Sequence, residues 1–417
     1  MTPLLDDIGP LAPADNGIAS LVVPLHGRVL VLCALVAFLD GFDTQSIGPA
    51  AAPIADTLGV PLSAFGAVFG TTQVGFLLGA MSFSALGDRF GRRRMLVVAT
   101  LLFAVASLAT ALSGSLTFLL ASRFLSGLGL GGATPNFIGL ASEFSPMASR
   151  ARIVTTLWAA VPFGGMAGAF ASSISLPILG WQAMFYLGFA APVGLIPVLL
   201  AAMPESRETR WGDDASPGTK IPVAELFSDG RALPTIWLWL ASFMTWMVLV
   251  VVALWTPALM KQAGISASSA ALVLAFNNGG GILGTIAMGW AVGKIRPHIA
   301  LIVVFPAAAI FIAAIGWEVG IAMAAPFAVV AVTSTLAGAF SSAAGGGIVG
   351  VSASAYPGAI RATGAGWAIG VGRIGSIIGP LLVGALIARG WAVPDIYLAI
   401  ALPALMATGF IWLLARR

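Results

Sequence analysis

The sequence predicts an all-α membrane protein: twelve transmembrane helices in two pseudo-symmetric six-helix bundles. Three observations carry this. Composition comes first, because 59% of residues are hydrophobic and only 9% charged, with a mean hydropathy of +1.00, whereas a soluble domain is about 25% charged. Second, twelve apolar segments can be marked, at 28–49, 63–86, 95–113, 117–140, 153–176, 182–203, 234–259, 267–291, 299–317, 321–344, 363–387 and 393–415. Most are close to the ~20 residues a spanning helix needs, and none shows the short alternating runs of an outer-membrane barrel. Third, the longest polar interval, Pro204 to Pro234, divides the spans six and six.

Four parts follow from this division. Residues 1–27, with Asp6, Asp7 and Asp15, read as a disordered cytoplasmic tail, and 28–203 as the N-terminal bundle. Residues 204–233 read as a cytoplasmic linker and 234–417 as the C-terminal bundle. The tail has no basic stretch leading to a cleavage site, so no removable signal peptide is expected. Lysine and arginine set the orientation. With the N-terminus inside, sixteen of the twenty fall on the cytoplasmic side, among them Arg28, Arg89, Arg92, Arg93, Arg94, Arg150, Arg152, Arg207, Arg210, Lys220, Arg361 and Arg417. Only Lys261 and Arg389 fall outside, while Arg123 and Arg373 lie within spans. The basic balance is therefore a topology signal, both termini are expected inside, and no nucleic-acid partner is implied.

Several chemistries are set aside. The single cysteine, Cys33, lies inside the first span, so neither a disulfide framework nor a cysteine metal site is expected. His26 and His298 sit near span ends, which argues against a histidine-centred metal or catalytic site. No phosphate-binding G-x-x-x-x-G-K-[ST] loop is present, so ATP drive is not expected. No catalytic residue, metal or cofactor is assigned.

The first span, VLVLCALVAFLDGFDTQSIG, carries Asp40 and Asp43 near its middle. A charge at that depth costs about 2.5–3.5 kcal/mol on insertion scales, so a polar pathway or site is the default explanation. Their three-residue spacing puts both on one helix face, where protons, a substrate or both would be handled. The loop after span 2, LGDRFGRRR, has Gly87 and Gly91 for a tight reversal, and Asp88 placed to pair with Arg89, Arg92 or a helix N-terminus. Span 4 contains RFLSGLGLGGATPN, whose glycines form a smooth packing face. Its Arg123 lies ~9 Å in from the outer end, and Asp40 ~12 Å from the outer surface, by helix rise against a ~30 Å core. A pairing of Arg123 with Asp40 or Asp43 would satisfy both charges.

Arg373 in span 11 lies ~15 Å from the cytoplasmic end. No acid lies well inside spans 7 to 12 to neutralise it, since Glu318 and Asp395 belong at span ends. Its fork suits an anionic carboxylate, with Asp40 or Asp43 as the competing partner. Gln73, Asn277 and Asn278 can hydrogen-bond a ligand, with interhelical bonding as the competing role. Trp158, Trp246, Trp255 and Trp367 can wall an aromatic pocket, and Trp255 is taken with Arg123 and Arg373 as substrate-binding. Glu143 is expected in a cytoplasmic charge cluster with Arg150 and Arg152. The halves echo each other weakly: Arg152 to Trp158 and Arg361 to Trp367 share one spacing, and Gly87-Asp88-Arg89 matches Gly293-Lys294-Ile295 in place. Duplicated halves are common in secondary transporters.

DGFD in span 1, the GDRFGRR loop, RFLSGLGLGGATPN, Pro204-Glu205-Ser206, YPGAIRATGAGW and GRIGSIIGP together resemble the aromatic acid:proton symporters of the major facilitator superfamily. The loop marks the superfamily, with Ser84 where glycine is usual, and the paired aspartates and RATGAGW narrow it. The resemblance implies the major facilitator fold, a bacterial inner-membrane location and import of an aromatic carboxylate of benzoate, hydroxybenzoate or phenylpropionate type with protons. It implies that Asp40 and Asp43 matter for transport, and the buried-pair reading adds Arg123 to the proton-coupling set. It also implies that the loop residues Asp88, Arg89 and Arg92 govern the conformational change, to which Gly87, Gly91, Glu143 and Arg361 are added as switch candidates. The expected partners are the substrate, protons and the bilayer, for a chain acting as a monomer. The alternatives are uptake of another organic anion, or proton-antiport efflux, for which the Pro162-Phe163-Gly164-Gly165 stretch fits the usual glycine-proline pattern poorly. A membrane enzyme or a receptor is not expected, since the loops offer only Asp88, Glu143 and arginines.

Overall fold

A backbone in lipid must close its own hydrogen bonds, and a helix does so within one segment. The structure, a computed structural model, describes residues 16–146, 153, 157–205, 223–292, 294–320, 326–357 and 360–416. Arg150, Arg152, Arg207, Arg210, Lys220, Ser206, Gly293 and Arg417 lie outside them. Twelve long helices follow in chain order: α1 Asn16–Leu58, α2 Phe65–Phe90, α3 Arg92–Ala111, α4 Leu116–Glu143, α5 Ala160–Ile178 and α6 Gln182–Ala202. The second six are α7 Ala232–Gln262, α8 Ala267–Val292, α9 Pro297–Gly320, α10 Phe327–Ser354, α11 Arg361–Ala388 and α12 Val393–Ala415. Each is long and apolar enough to cross a membrane.

Three boundaries differ from expectation. Helix α1 begins at Asn16, so residues 16–27 are helical where a disordered tail is expected. It also runs through Pro49 and Pro53 to Leu58, because a proline removes one backbone bond and neighbouring helices hold the turn in place. Helix α10 passes through Gly345–Gly347 to Ser354 rather than ending near 344. A side chain at Gly347 would intrude on Leu301 and Met288, so that glycine is a helix contact and not a terminator.

Packing repeats between the halves. The dominant pairs α2–α4, α1–α5, α3–α4 and α3–α6 are matched by α8–α10, α7–α11, α9–α10 and α9–α12. Small residues make these pairs close. A Cβ on Gly127 or Gly131 would strike the backbone of Thr72 or Phe76, and one on Gly75 or Gly79 that of Phe124 or Leu128. Gly280, Gly284 and Gly338 do the same between α8 and α10. Without a hydrophobic drive between helices in lipid, this backbone approach is what associates them.

The two halves meet through α1–α7, α2–α11 and α5–α8, and mainly at one end. At the end holding the α1 C-terminus, one apolar cluster joins both halves, including Ile47, Phe65, Phe69, Val251, Trp255 and Val383. There Phe69 meets Trp255 edge-on at 5.1 Å, Lys261 Nζ reaches Asp56 at 2.7 Å, and Ser268 donates to the Ser173 carbonyl. At the opposite end the clusters separate. One draws on α1–α6 together with Leu157 and Met203, and the other on α7–α12 with Leu226, Tyr356 and Ile360. The molecule is sealed at one end and divided at the other.

Because α2 and α4 touch through backbone, Gly131→Val should separate them and cost about 1–3 kcal/mol. A lower unfolding midpoint in detergent would check this, and a wild-type midpoint would show that the α2–α4 seam is slack.

Candidate functional site

The charged groups buried in the spans form two sets. The first lies inside the N-terminal half. Asp43 on α1 and Arg123 on α4 pair at 3.2 Å, with side chains 1% and 0% exposed. Ser126, one turn along α4, donates to the same Asp43 Oδ2 at 2.7 Å. A Cβ on Gly188 of α6 would meet both the Ser107 hydroxyl and the other carboxylate oxygen, and Phe185 lies 6.0 Å from the guanidinium. Asp43 Oδ1 and the Nε and Nη2 of Arg123 have no partner among the described residues. Removing either member would strand a charge where solvation is absent.

The second set borders the space between the halves. Asp40, one turn before Asp43, accepts from Thr44 at 3.1 Å and lies 3.4 Å from the Thr134 hydroxyl. That hydroxyl also lies 3.0 Å from the Leu130 carbonyl, to which it can give its single proton. Thr134 can then accept a proton held on Asp40. Asp40 makes no ion pair within 4 Å among the described residues, although the Arg373 charge acts on it from α11.

Arg373 is held by aromatic rings rather than by an acid among the described residues. Its guanidinium carbon lies 4.3 Å from the Phe76 ring centre and 4.4 Å from that of Trp246. Phe76 belongs to α2 and Trp246 to α7, so these contacts join both halves. Desolvated cation–π contacts contribute about 2 kcal/mol each, enough to offset an insertion cost of about 2.5–3.5 kcal/mol. The N–H groups along the guanidinium edge bond to no described residue, so a flat anion can take them two at a time. Trp246 Nε1 is buried without an acceptor as well.

The remaining candidates are dispersed. Asn277 donates to the Ser334 carbonyl and ties α8 to α10. Asn278 donates to Gln45 Oε1 at 2.7 Å, a bond between the halves. Gln45 is missing from the sequence-based set, and its signal was available, since an amide within span 1 meets the same test as Gln73. Trp255 is fully buried against Phe69 in the sealed end. It is not one of the rings about Arg373, where Trp246 stands instead. Arg123 is equally enclosed, beside Asp43 rather than Arg373.

The loop candidates gather at the divided end. Gly91, at φ +101°, turns the chain from α2 into α3, and a Cβ on Gly87 would strike Asn136. Arg92 bridges Asp88 at 3.2 Å and Glu143 at 2.7 Å. Glu205, after α6, accepts from the Arg93 backbone N–H and sits 3.7 Å from Arg94. Arg89 lies over Phe90, and Arg361 donates to the Tyr356 carbonyl. Among the described residues, every ion pair at this end joins helices of one half.

Asp43→Asn leaves Arg123 as an unpaired buried charge and should cost about 3–5 kcal/mol, seen as a fall in the detergent unfolding midpoint. Asp43→Leu combined with Arg123→Met should restore most of it. A single variant as stable as wild type would mean that the pair is not what holds α1 to α4.

Comparison with known proteins bears on the family and the fold. Residues 33–324 match the model of the Major Facilitator Superfamily. A 4-hydroxybenzoate transporter of Pseudomonas aeruginosa is 32% identical, over 94% of this chain and 92% of its own length. A 3-(3-hydroxy-phenyl)propionate transporter of Escherichia coli is also 32% identical, over 91% of each. A crystal structure of a D-xylose-proton symporter superposes with a TM-score of 0.78 at 19% identity, over 92% of this chain and 97% of that one, which speaks for the fold alone. With helices, packing symmetry and relatives in agreement, the chain belongs to the major facilitator superfamily of membrane transporters.

Proposed function

We propose that the protein is a proton-coupled symporter that imports an aromatic carboxylate across a bacterial inner membrane by alternating access. The observation that carries this is Arg373, which lies against the Phe76 and Trp246 rings while its N–H groups bond to no described residue. A carboxylate fits the edge, and an aromatic ring attached to it extends beside the two rings that flank the cation. The curated relatives carry aromatic acids by name, which supports the same substrate class.

Asp40 is the proton carrier on this reading. Asp43 is held as an acceptor by Arg123 and Ser126, whereas Asp40 has no contact counter-ion and has Thr134 ready to accept. An anion at Arg373 places a second negative charge near Asp40, and a proton on Asp40 relieves the repulsion. Each ligand therefore favours the other, and by linkage equally in both directions.

The positive-inside bias puts the divided end in the cytoplasm, so the conformation faces inward. Both termini are then cytoplasmic. The Asp88–Arg92–Glu143 set, with Gly87, Arg89, Gly91 and Arg361, lies at the face that must close for the outward state. The chain acts as a monomer, since both halves of the site come from one chain.

Purified protein in liposomes with an imposed inward pH gradient should accumulate 4-hydroxybenzoate. Asp40→Asn should abolish that accumulation while leaving exchange of labelled for unlabelled substrate measurable. Arg373→Lys should lower kcat/KM at least ten-fold, since a point charge cannot reproduce the bidentate edge. Full gradient-driven accumulation by Asp40→Asn would remove Asp40 from the coupling role.

A further inference from the structure

Gln73 stands apart from the other buried amides. Asn136 bonds to the Phe83 and Gly132 carbonyls, Asn277 to Ser334, and Asn278 to Gln45 and Leu274. Gln73 is only 6% exposed, yet its side chain bonds to no described residue. Its amide atoms are not among the polar atoms shut off from solvent, so they border open space, where a polar ligand can take a hydrogen bond. Its place on α2 says what it faces. It follows Phe69 by four residues and precedes Phe76 by three, so the three side chains share one helix face, with neighbouring Cβ atoms about 5–6 Å apart. Phe69 packs on Trp255 in the sealed end, and Phe76 covers Arg373. Gln73 thus lies between the rings about Arg373 and the seal. Trp255, packed on the same Phe69, has an indole N–H that is buried without an acceptor.

We infer that Gln73 reads a hydroxyl on the ring of a carboxylate held at Arg373, so that the preferred substrates are hydroxylated aromatic acids. This rests on the reading of Arg373 as the carboxylate site. A substrate entering from the divided end meets Arg373 first and points its ring toward the seal, where the amide waits. An amide both donates and accepts, so it matches a phenolic hydroxyl in either role. A site built to bond a hydroxyl discriminates strongly against the analogue without one, because its own polar group is then left unpaired.

The test compares 4-hydroxybenzoate with benzoate in proteoliposomes under the same pH gradient, for wild type and Gln73→Leu. Wild type should prefer the hydroxylated acid at least ten-fold in kcat/KM, and Gln73→Leu should reduce that ratio at least ten-fold. Gln73→Met, also close in volume and lacking the amide, should give the same change and serves if the leucine variant does not fold. A ratio unchanged in either folded variant, or a wild type indifferent to the hydroxyl, overturns the inference and leaves the carboxylate site standing. A wild type that carries neither acid takes the Arg373 reading down with it.

Discussion

Lipid offers no partner to an ionised group, so every charge carried into the spans must be satisfied by the protein or by something it binds. This constraint sorts the four deep charges. Arg123 and Asp43 pair with each other inside one half, fully buried away from the space between the halves. Asp40 and Arg373 are not in contact, and each is stabilised by groups that leave its reactive capacity intact. Hydroxyls serve Asp40 and aromatic rings serve Arg373. The first pair holds α1 to α4 within the N-terminal half, and the second is positioned across the joint between the halves.

The packing supplies what that joint needs. Helices within each half meet backbone to backbone through glycine, a contact that tolerates no displacement. Among the described residues, contacts between the halves are mostly between side chains: the apolar cluster with its Phe69–Trp255 edge, the rings about Arg373, the Lys261–Asp56 ion pair and hydrogen bonds such as Gln45–Asn278. Gly66 and Gly384, where α2 and α11 cross, bring backbones together only at the sealed end. Two rigid bodies joined by separable contacts can rock, and the division of the apolar clusters at the far end shows the halves apart on that side.

Much of this was legible in the sequence, for physical reasons that also mark where reading stopped. Hydropathy and helix rise give depth, so twelve spans, the height of Arg123 and the height of Asp40 follow from counting residues. Depth says nothing about direction around the helix axis. The choice between Asp40 and Asp43 as partner for Arg123 therefore stayed open, and Trp255 was preferred to Trp246 although the helix turns only the latter to Arg373. Gln45, a neutral amide beside two aspartates, is the weaker polar signal in span 1. The ends of α1 and α10 differ from the hydropathy reading because proline and glycine break helices in water, whereas both helices continue through them in the bundle.

On the proposed cycle, coupling follows from what the joint will carry. When the halves rock, the space between them closes from the other side, and any charge left there loses its solvent. With Asp40 ionised and Arg373 empty, two groups separated by more than contact distance offset each other in part. With only the anion bound, Arg373 is neutralised and Asp40 remains as an uncompensated carboxylate. With only the proton bound, Arg373 remains as an uncompensated cation. Each half-loaded state thus closes over a bare charge, and the loaded state closes over none. A bare charge in a poorly solvated interface costs several kcal/mol, and each 1.4 kcal/mol is a factor of ten in population. Rocking of the half-loaded carrier is suppressed by that margin, which is how two groups that never touch can keep a proton and an anion in step.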